Sequence, residues 1–459
     1  MPYKDSLKGG KIITDWRPEI EEFWHGGGKQ AANRNLWISI PALLLAFAVW
    51  MVWSTVIVRL PDIGFTFDQN QLFWLAALPG LSGATLRIFY SFMVPIFGGR
   101  RWTAISTATL LIPALWMGFA VQDTSTSYSV FVIIALLCGL GGGNFASSMS
   151  NISFFYPKAK QGTALGLNAG LGNLGVSVMQ FVIPNVILFG VFGALAGGPQ
   201  ITAAGKALYL QNAGFIWVPF IIIVSIVAWF GMNDISSAKA SFRDQAIIFK
   251  RKHNWIMCIL YMATFGSFIG FSAAFPMLIK NSFPHIDALL VAFLGPLVGA
   301  LFRPFGGWIA DKLGGARVTF WNYIVMVLAV LALMYFLPSA THEGNFIGYF
   351  ISFMVLFITT GIGNGSTFRM IPVIFRSMHE RLSPEKIGQE DLFIEIRKES
   401  AAVVGFTSAI AAYGAFFVPK MFGSSLGING TFIALIVFYV LCIALTWWYY
   451  SRADAEYHC

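Results

Sequence analysis

Residues 83–103 contain Gly83-Ala84-Thr85-Leu86-Arg87 followed by Gly98-Gly99-Arg100-Arg101-Trp102-Thr103. Residues 299–319 contain Gly299-Ala300-Leu301-Phe302-Arg303 followed by Gly314-Gly315-Ala316-Arg317-Val318-Thr319. Arg303 less Arg87 is 216 residues, and every matched pair keeps that offset. A looser pair, Gly139-x-Gly141-x-Gly143 against Gly361-x-Gly363-x-Gly365, recurs at 361 less 139, or 222 residues. The chain is therefore a duplicated unit. Its halves meet at Asn233–Asn254, a polar and basic stretch.

Both copies are built for hydrocarbon. Of 459 residues, 57% are hydrophobic and 11% charged, where a soluble chain carries roughly 25% charged residues. The charges cluster, and the apolar runs between clusters reach the ~20 residues that span a bilayer as helix. Lipid offers backbone groups no partners, so helices are expected; the alternation of a membrane barrel is absent. Twelve spans are predicted: Leu36–Val58, Gln71–Pro95, Trp102–Val121, Val130–Tyr156, Thr163–Leu188, Gly214–Gly231, Trp255–Ile279, Leu289–Ala310, Val318–Leu337, Phe346–Phe375, Ala402–Phe422 and Phe432–Tyr450. The predicted division is a cytoplasmic arm at 1–34, a six-helix bundle at 35–232, a cytoplasmic loop at 233–254, a second bundle at 255–451 and a cytoplasmic tail at 452–459. The charged stretch Arg376–Lys398 reads as an amphipathic surface helix.

The net charge of +9 does not point to nucleic acid. With both termini cytoplasmic, 23 of the 30 lysines and arginines fall on cytoplasmic segments, as the positive-inside bias requires. Only Arg59, Lys206, Lys280 and Lys420 fall outside, and Arg87, Arg303 and Arg369 lie within spans. Cys138, Cys258 and Cys442 sit in apolar runs and Cys459 is the last residue, so neither a disulfide framework nor a metal cluster is expected. The polar first 35 residues do not read as a signal peptide. No cofactor is implied. A membrane enzyme or sensor has no nucleophile–base pair, metal cluster or nucleotide loop to work with in the spans.

Parallel six-span repeats, related by an axis along the membrane normal, describe the major facilitator architecture. The expected fold is accordingly an all-α membrane protein with twelve transmembrane helices in two pseudo-symmetric six-helix bundles. The run Gly307-Trp308-Ile309-Ala310-Asp311-Lys312-Leu313-Gly314-Gly315-Ala316-Arg317 resembles the loop signature of that superfamily. Asp311, Lys312, Gly315 and Arg317 are its gating residues on that resemblance. The first copy keeps Gly99, Arg100 and Arg101 but has Pro95 where the acid belongs.

Arg87 and Arg303 each precede their Gly-Gly turn by 11 residues. At 1.5 Å per residue that is about 16 Å, half the hydrocarbon thickness. Arginine at that depth costs about 2.5–3.5 kcal/mol on insertion scales. No Asp or Glu lies inside a predicted span, so a mobile anion is the expected partner. Guanidinium is planar with paired N–H donors, which suits a planar oxyanion; one arginine per half suits a monovalent one. Phe145 and Phe265 lie in glycine-bearing, polar-punctuated stretches, and Asn173 is an amide inside a span. The run Gly166-Leu167-Asn168-Ala169-Gly170-Leu171-Gly172-Asn173-Leu174-Gly175 is dense in glycine, which lets helices approach closely. Gly405 to Gly414 is a looser counterpart.

At these residues the chain resembles the nitrate/nitrite porter family, in its NarK/NarU-like bacterial branch. Leu36–Ser39, Tyr90–Arg101, Asn144–Met149 and Gly266–Ala273 carry the likeness. Gly166–Met179, with Gly170, Gly172 and Gly175, is similar to the first nitrate signature, and Gly405–Pro419, with Gly414, to the second. The resemblance implies that Arg87 and Arg303 bind nitrate and nitrite, that Asn173 and Tyr261 donate hydrogen bonds, and that Phe145 and Phe265 sandwich the anion. It implies a multi-pass transporter of the bacterial inner membrane, used in nitrate assimilation and working as a monomer. Ala169, Ala411 and Ala415 replace signature glycines, and Arg369 stands where glutamine is usual. The predicted spans contain no histidine, so nitrate/nitrite antiport by alternating access is expected over proton symport. Exchange of another anion, such as an organic phosphate, is the remaining alternative.

Overall fold

The computed structural model describes residues 5, 7–236, 246–339, 343–386, 390–457 and 459. The middle of the predicted loop 233–254, and residues 387–389 of the predicted surface helix, lie outside the described residues. Among the described residues, twelve helices are long and apolar enough to cross a membrane. They are α1 Glu21–Arg59, α2 Gln69–Tyr90, α3 Gly99–Ala120, α4 Tyr128–Phe155, α5 Lys160–Val186 and α6 Asn212–Gly231. The second set is α7 Lys252–Ser282, α8 Ala288–Leu313, α9 Gly315–Phe336, α10 Phe346–Leu382, α11 Glu399–Phe422 and α12 Gly427–Ser451. α6, α9 and α12 leave Ile223 and Phe230, Trp321 and Leu328, and Val437 and Val440 exposed. Apolar surface of that kind is unusual against water and ordinary against lipid tails.

The chain divides into two compact units. The first is Met1–Ala240 with Phe275–Met277 and Asp287–Phe293; the second is Ser241–Ala274 with Leu278–Ile286 and Leu294–Cys459. Each repeats one packing scheme. α2 packs along α4 in the first unit, and α8 along α10 in the second. Glycine permits both crossings: a Cβ at Gly142 would lie 2.7 Å from the Gly83 Cα, and one at Gly361 would lie 2.2 Å from the Gly299 oxygen. The paired turns match as well. Gly98 and Gly314 have φ of +86° and +89°, a region that side-chain-bearing residues avoid.

Three boundaries differ from expectation for one reason: a helix need not stop where hydrocarbon stops. α1 begins at Glu21, fifteen residues before Leu36, so much of the arm is helical. The arm is also docked. Strand β1, Ile12–Ile13, pairs in parallel with β4, Asp234–Ile235; a hairpin, β2 Gln200–Ile201 with β3 Ala207–Leu208, lies between them in sequence. Leu7, Ile13, Phe23 and Trp24 pack into one apolar cluster with Ile152 and Phe155. Arg34 donates to the Gly231 carbonyl at 2.8 Å and to Asn233 Oδ1 at 2.6 Å. In place of a separate surface helix at Arg376–Lys398, α10 continues to Leu382 and the helix leading into α11 begins at Glu390. The histidines His25, His253 and His379, predicted outside spans, consequently belong to the ends of α1, α7 and α10, and Glu399 opens α11.

Candidate functional site

In the first unit, Arg87 sits on α2, 1% exposed. Its Nε donates to the Gly142 carbonyl of α4 at 2.9 Å. The guanidinium carbon lies 4.7 Å from the Phe145 ring centre and 5.0 Å from that of Trp50 on α1. Two aromatic faces thus flank one cation, an attraction that strengthens away from water. Phe47 contacts both aromatics, at 5.6 Å from Trp50 and 6.1 Å from Phe145.

Asn173 on α5 is buried, and neither amide atom has a hydrogen-bond partner among the described residues. A buried amide left so costs about 1–3 kcal/mol. Its neighbour Asn168 differs, donating to Ser148 Oγ at 2.8 Å, which in turn bonds Ser39 at 2.8 Å. Of the two asparagines in this glycine-rich run, Asn168 ties helices together and Asn173 makes no such tie among the described residues.

In the second unit, Arg303 on α8 is buried. Its Nη2 donates to the Tyr261 hydroxyl at 3.1 Å, while Nη1 has no acceptor among the described residues. Its guanidinium carbon lies 5.2 Å from the Phe368 ring centre and 6.0 Å from that of Phe265. α7 explains the arrangement. Residues Met262–Gly266 wind as a π-helical turn, a local widening common at functional sites. The wider turn sets Tyr261 and Phe265 one above the other, with rings 5.4 Å apart and 7° from parallel. The turn is also where α11 comes closest: a Cβ at Gly414 would lie 2.2 Å from the Gly266 Cα.

The structure therefore gathers Arg87 with Phe145, and Arg303 with Tyr261 and Phe265. It adds Trp50, in an apolar run, and Phe368, in the polar stretch Ser366-Thr367-Phe368-Arg369, neither with a repeat mate. The signature glycines divide. Gly175 meets the Leu44 backbone, Gly172 meets the Leu43 side chain and Gly414 meets Gly266, whereas a Cβ at Gly166, Gly170 or Gly405 would meet nothing within 4 Å. Close helix approach accounts for the first three only, which corrects the expectation that Gly166 and Gly170 serve it.

The loop residues expected to gate pair differently in the two copies. Pro95 leaves the first copy without its acid, and Asp234 of β4 supplies one. Arg100 donates to it from the backbone at 2.8 Å and from Nε at 3.1 Å, and Arg101 approaches to 3.9 Å. In the second copy Asp311 pairs with Arg369, and both side chains are about half exposed. Arg369, within α10, is thus a half-exposed, ion-paired residue, and not buried as Arg87 and Arg303 are. Lys312 lies 4.1 Å over the Trp308 ring.

Residues 42–389 match the profile of the Major Facilitator Superfamily. The nitrate/nitrite transporter NarU of Escherichia coli K12 is 53% identical, with 98% of this chain and 99% of that protein covered. The probable nitrate/nitrite antiporter NarK2 of Thermus thermophilus is 43% identical, with 98% and 99% covered. Among solved structures, a bacterial homologue of the human lysosomal transporter Spinster superposes with a TM-score of 0.59 at 14% identity, covering 90% of this chain and 95% of that one, a likeness of fold alone.

Proposed function

We propose that this chain, which belongs to the Major Facilitator Superfamily and to its nitrate/nitrite porter family, exchanges nitrate for nitrite across the bacterial inner membrane by alternating access. The observation that carries the reading is the state of Arg303. A guanidinium 8% exposed keeps one terminal nitrogen without an acceptor among the described residues, beside a tyrosine hydroxyl. A planar anion supplies what is missing: a negative charge and oxygens spaced for paired N–H donors. Arg87 and Arg303 are the two cationic ligands, Tyr261 and Asn173 the hydrogen-bond donors, and Phe145 and Phe265 the flat walls. A ring against each face admits trigonal nitrate or bent nitrite and opposes a tetrahedral phosphate. The relatives named for nitrate and nitrite support the same cargo.

Exchange follows from charge. An empty site leaves two cations in a medium of low dielectric, where like charges repel strongly. One bound monovalent anion offsets that repulsion, so the loaded carrier reorients and the empty one does not. Nitrate for nitrite is one charge for one charge. Glu399, the carboxylate at the start of α11, is engaged by Arg251 at 2.6 Å and by His379 at 2.8 Å. The protein works as a monomer with both termini cytoplasmic, and no bond in its cargo is changed. Reconstituted vesicles test this: nitrate entry is expected to need internal nitrite or nitrate and to ignore a pH gradient. Entry driven by a proton gradient into anion-free vesicles overturns exchange.

A further inference from the structure

We infer that Trp50 is a positioning residue for Arg87, its indole face fixing the guanidinium in the attitude an anion meets. The inference rests on Arg87 being an anion ligand. Trp50 is fully buried on α1, and its indole is held on three sides. Its Nε1–H donates to the Pro79 carbonyl of α2 at 2.7 Å. A Cβ at Gly83 would lie 2.5 Å from that nitrogen, and a Cβ at Gly142 would lie 2.7 Å from the indole Cε2. Both glycines are therefore spaces that the indole fills, and neither can bear a side chain while it stays there.

Gly142 has two tasks at once. It clears room for the indole, and its carbonyl accepts from Arg87 Nε at 2.9 Å. Gly83 lies one helical turn before Arg87 on the same face of α2. So the same glycines that admit the indole also set where the arginine stem and its Nε lie. The guanidinium is then bounded by the Gly142 carbonyl at Nε, by Phe145 on one side at 4.7 Å and by Trp50 at 5.0 Å. With stem and faces fixed, the terminal N–H edge keeps one direction.

The indole also does what a wall of equal size cannot. An exchanger releases one anion before it binds the next, and in that interval the anion's negative charge is gone. An indole face attracts a cation most strongly of the aromatic side chains. Phe145 is assigned to the anion as well as to the arginine, whereas Trp50, hydrogen-bonded to Pro79, offers its ring to the arginine. An aliphatic residue at 50 would fill the space without offering the cation a π face.

The experiment is graded fluorination at one position. Mono-, di- and trifluorotryptophan, placed at residue 50 of the full-length protein, withdraw charge from the indole face while barely changing its shape. Nitrate counterflow is measured in proteoliposomes, with thermal unfolding in detergent alongside. The half-saturating nitrate concentration is expected to climb with each fluorine, to about tenfold at three, with the unfolding temperature unchanged. Trp50→Leu in an Arg87→Lys background is expected to add nothing to the effect of Arg87→Lys alone, because the two residues act as a unit. A flat response to fluorination, or effects of Trp50→Leu and Arg87→Lys that multiply, overturns the inference. Absence of nitrate counterflow in the unsubstituted protein overturns instead the functional reading beneath it.

Discussion

Arg303 donates to the Tyr261 hydroxyl at 3.1 Å, and the Tyr261 ring lies parallel to that of Phe265 across one π-helical turn. One hydroxyl therefore links the buried cation of α8 to the aromatic wall of α7. The link separates two roles of Tyr261. Its ring is packing, shared with any phenyl group; its oxygen is the polar contact.

Tyr261→Phe is expected to keep the stack and lose the oxygen. A hydrogen bond to a charged group is worth about 1.5–3 kcal/mol, so half-saturating nitrate should rise roughly tenfold or more. The unfolding temperature should move little. Counterflow at graded nitrate concentrations, paired with a thermal melt, checks both halves; an unchanged half-saturation removes the hydroxyl from the site.

Asn173 offers a test in which stability and activity move in opposite directions. The folded protein carries the cost of its unpartnered amide, so Asn173→Leu should leave stability unchanged or raise it by about 1–3 kcal/mol. Transport should fall severalfold in the same variant. A structural asparagine would give the reverse: lower stability and a loss of transport only in proportion to lost protein.

The signature glycines should divide by their surroundings. Gly175→Ala and Gly414→Ala force a Cβ to 2.1 Å from the Leu44 oxygen and 2.2 Å from the Gly266 Cα. Overpacking of that kind costs about 1–3 kcal/mol or more. Gly170→Ala and Gly405→Ala meet nothing within 4 Å and should fold as the parent does. Melting temperatures of the four variants, measured together, decide the matter.

Two ion pairs at matched loop motifs should differ in strength. Arg100 and Asp234 are both over 90% buried at the side chain, and removing one partner of a buried pair costs about 3–5 kcal/mol. Asp234→Ala should therefore destabilise strongly. Arg369→Gln breaks a half-exposed pair and should change stability by about 1 kcal/mol or less, with transport retained.

How far the sequence could be read depends on what each feature encodes. Twelve helices and the duplicated unit were legible because hydrocarbon thickness and a fixed offset are written directly in the chain. Arg87 and Arg303 stood out because a cation inside an apolar run is costly wherever it folds. Trp50 and Phe368 did not, since an aromatic residue looks alike in sequence whether its ring packs against leucine or against arginine. Asp234 was hidden for a different reason. Its partner Arg100 is 134 residues away, and nothing local marks a strand residue as the missing acid of a turn. The π-helical turn at Met262–Gly266 likewise has no compositional sign. The docking of the arm was not legible because its polar residues pair with the end of α6, as Arg34 does with Asn233, and polarity alone does not distinguish a docked segment from a free one.

The most direct measurement is nitrate/nitrite counterflow in proteoliposomes for the parent, Arg87→Lys and Arg303→Lys. Lysine keeps the charge and loses the planar fork. If the two guanidinium groups bind the anion, each lysine variant should fold normally and exchange at least about a hundredfold more slowly, the loss of a charge-assisted hydrogen bond. Exchange at the parent's rate in either variant would contradict the assignment of that arginine as a ligand.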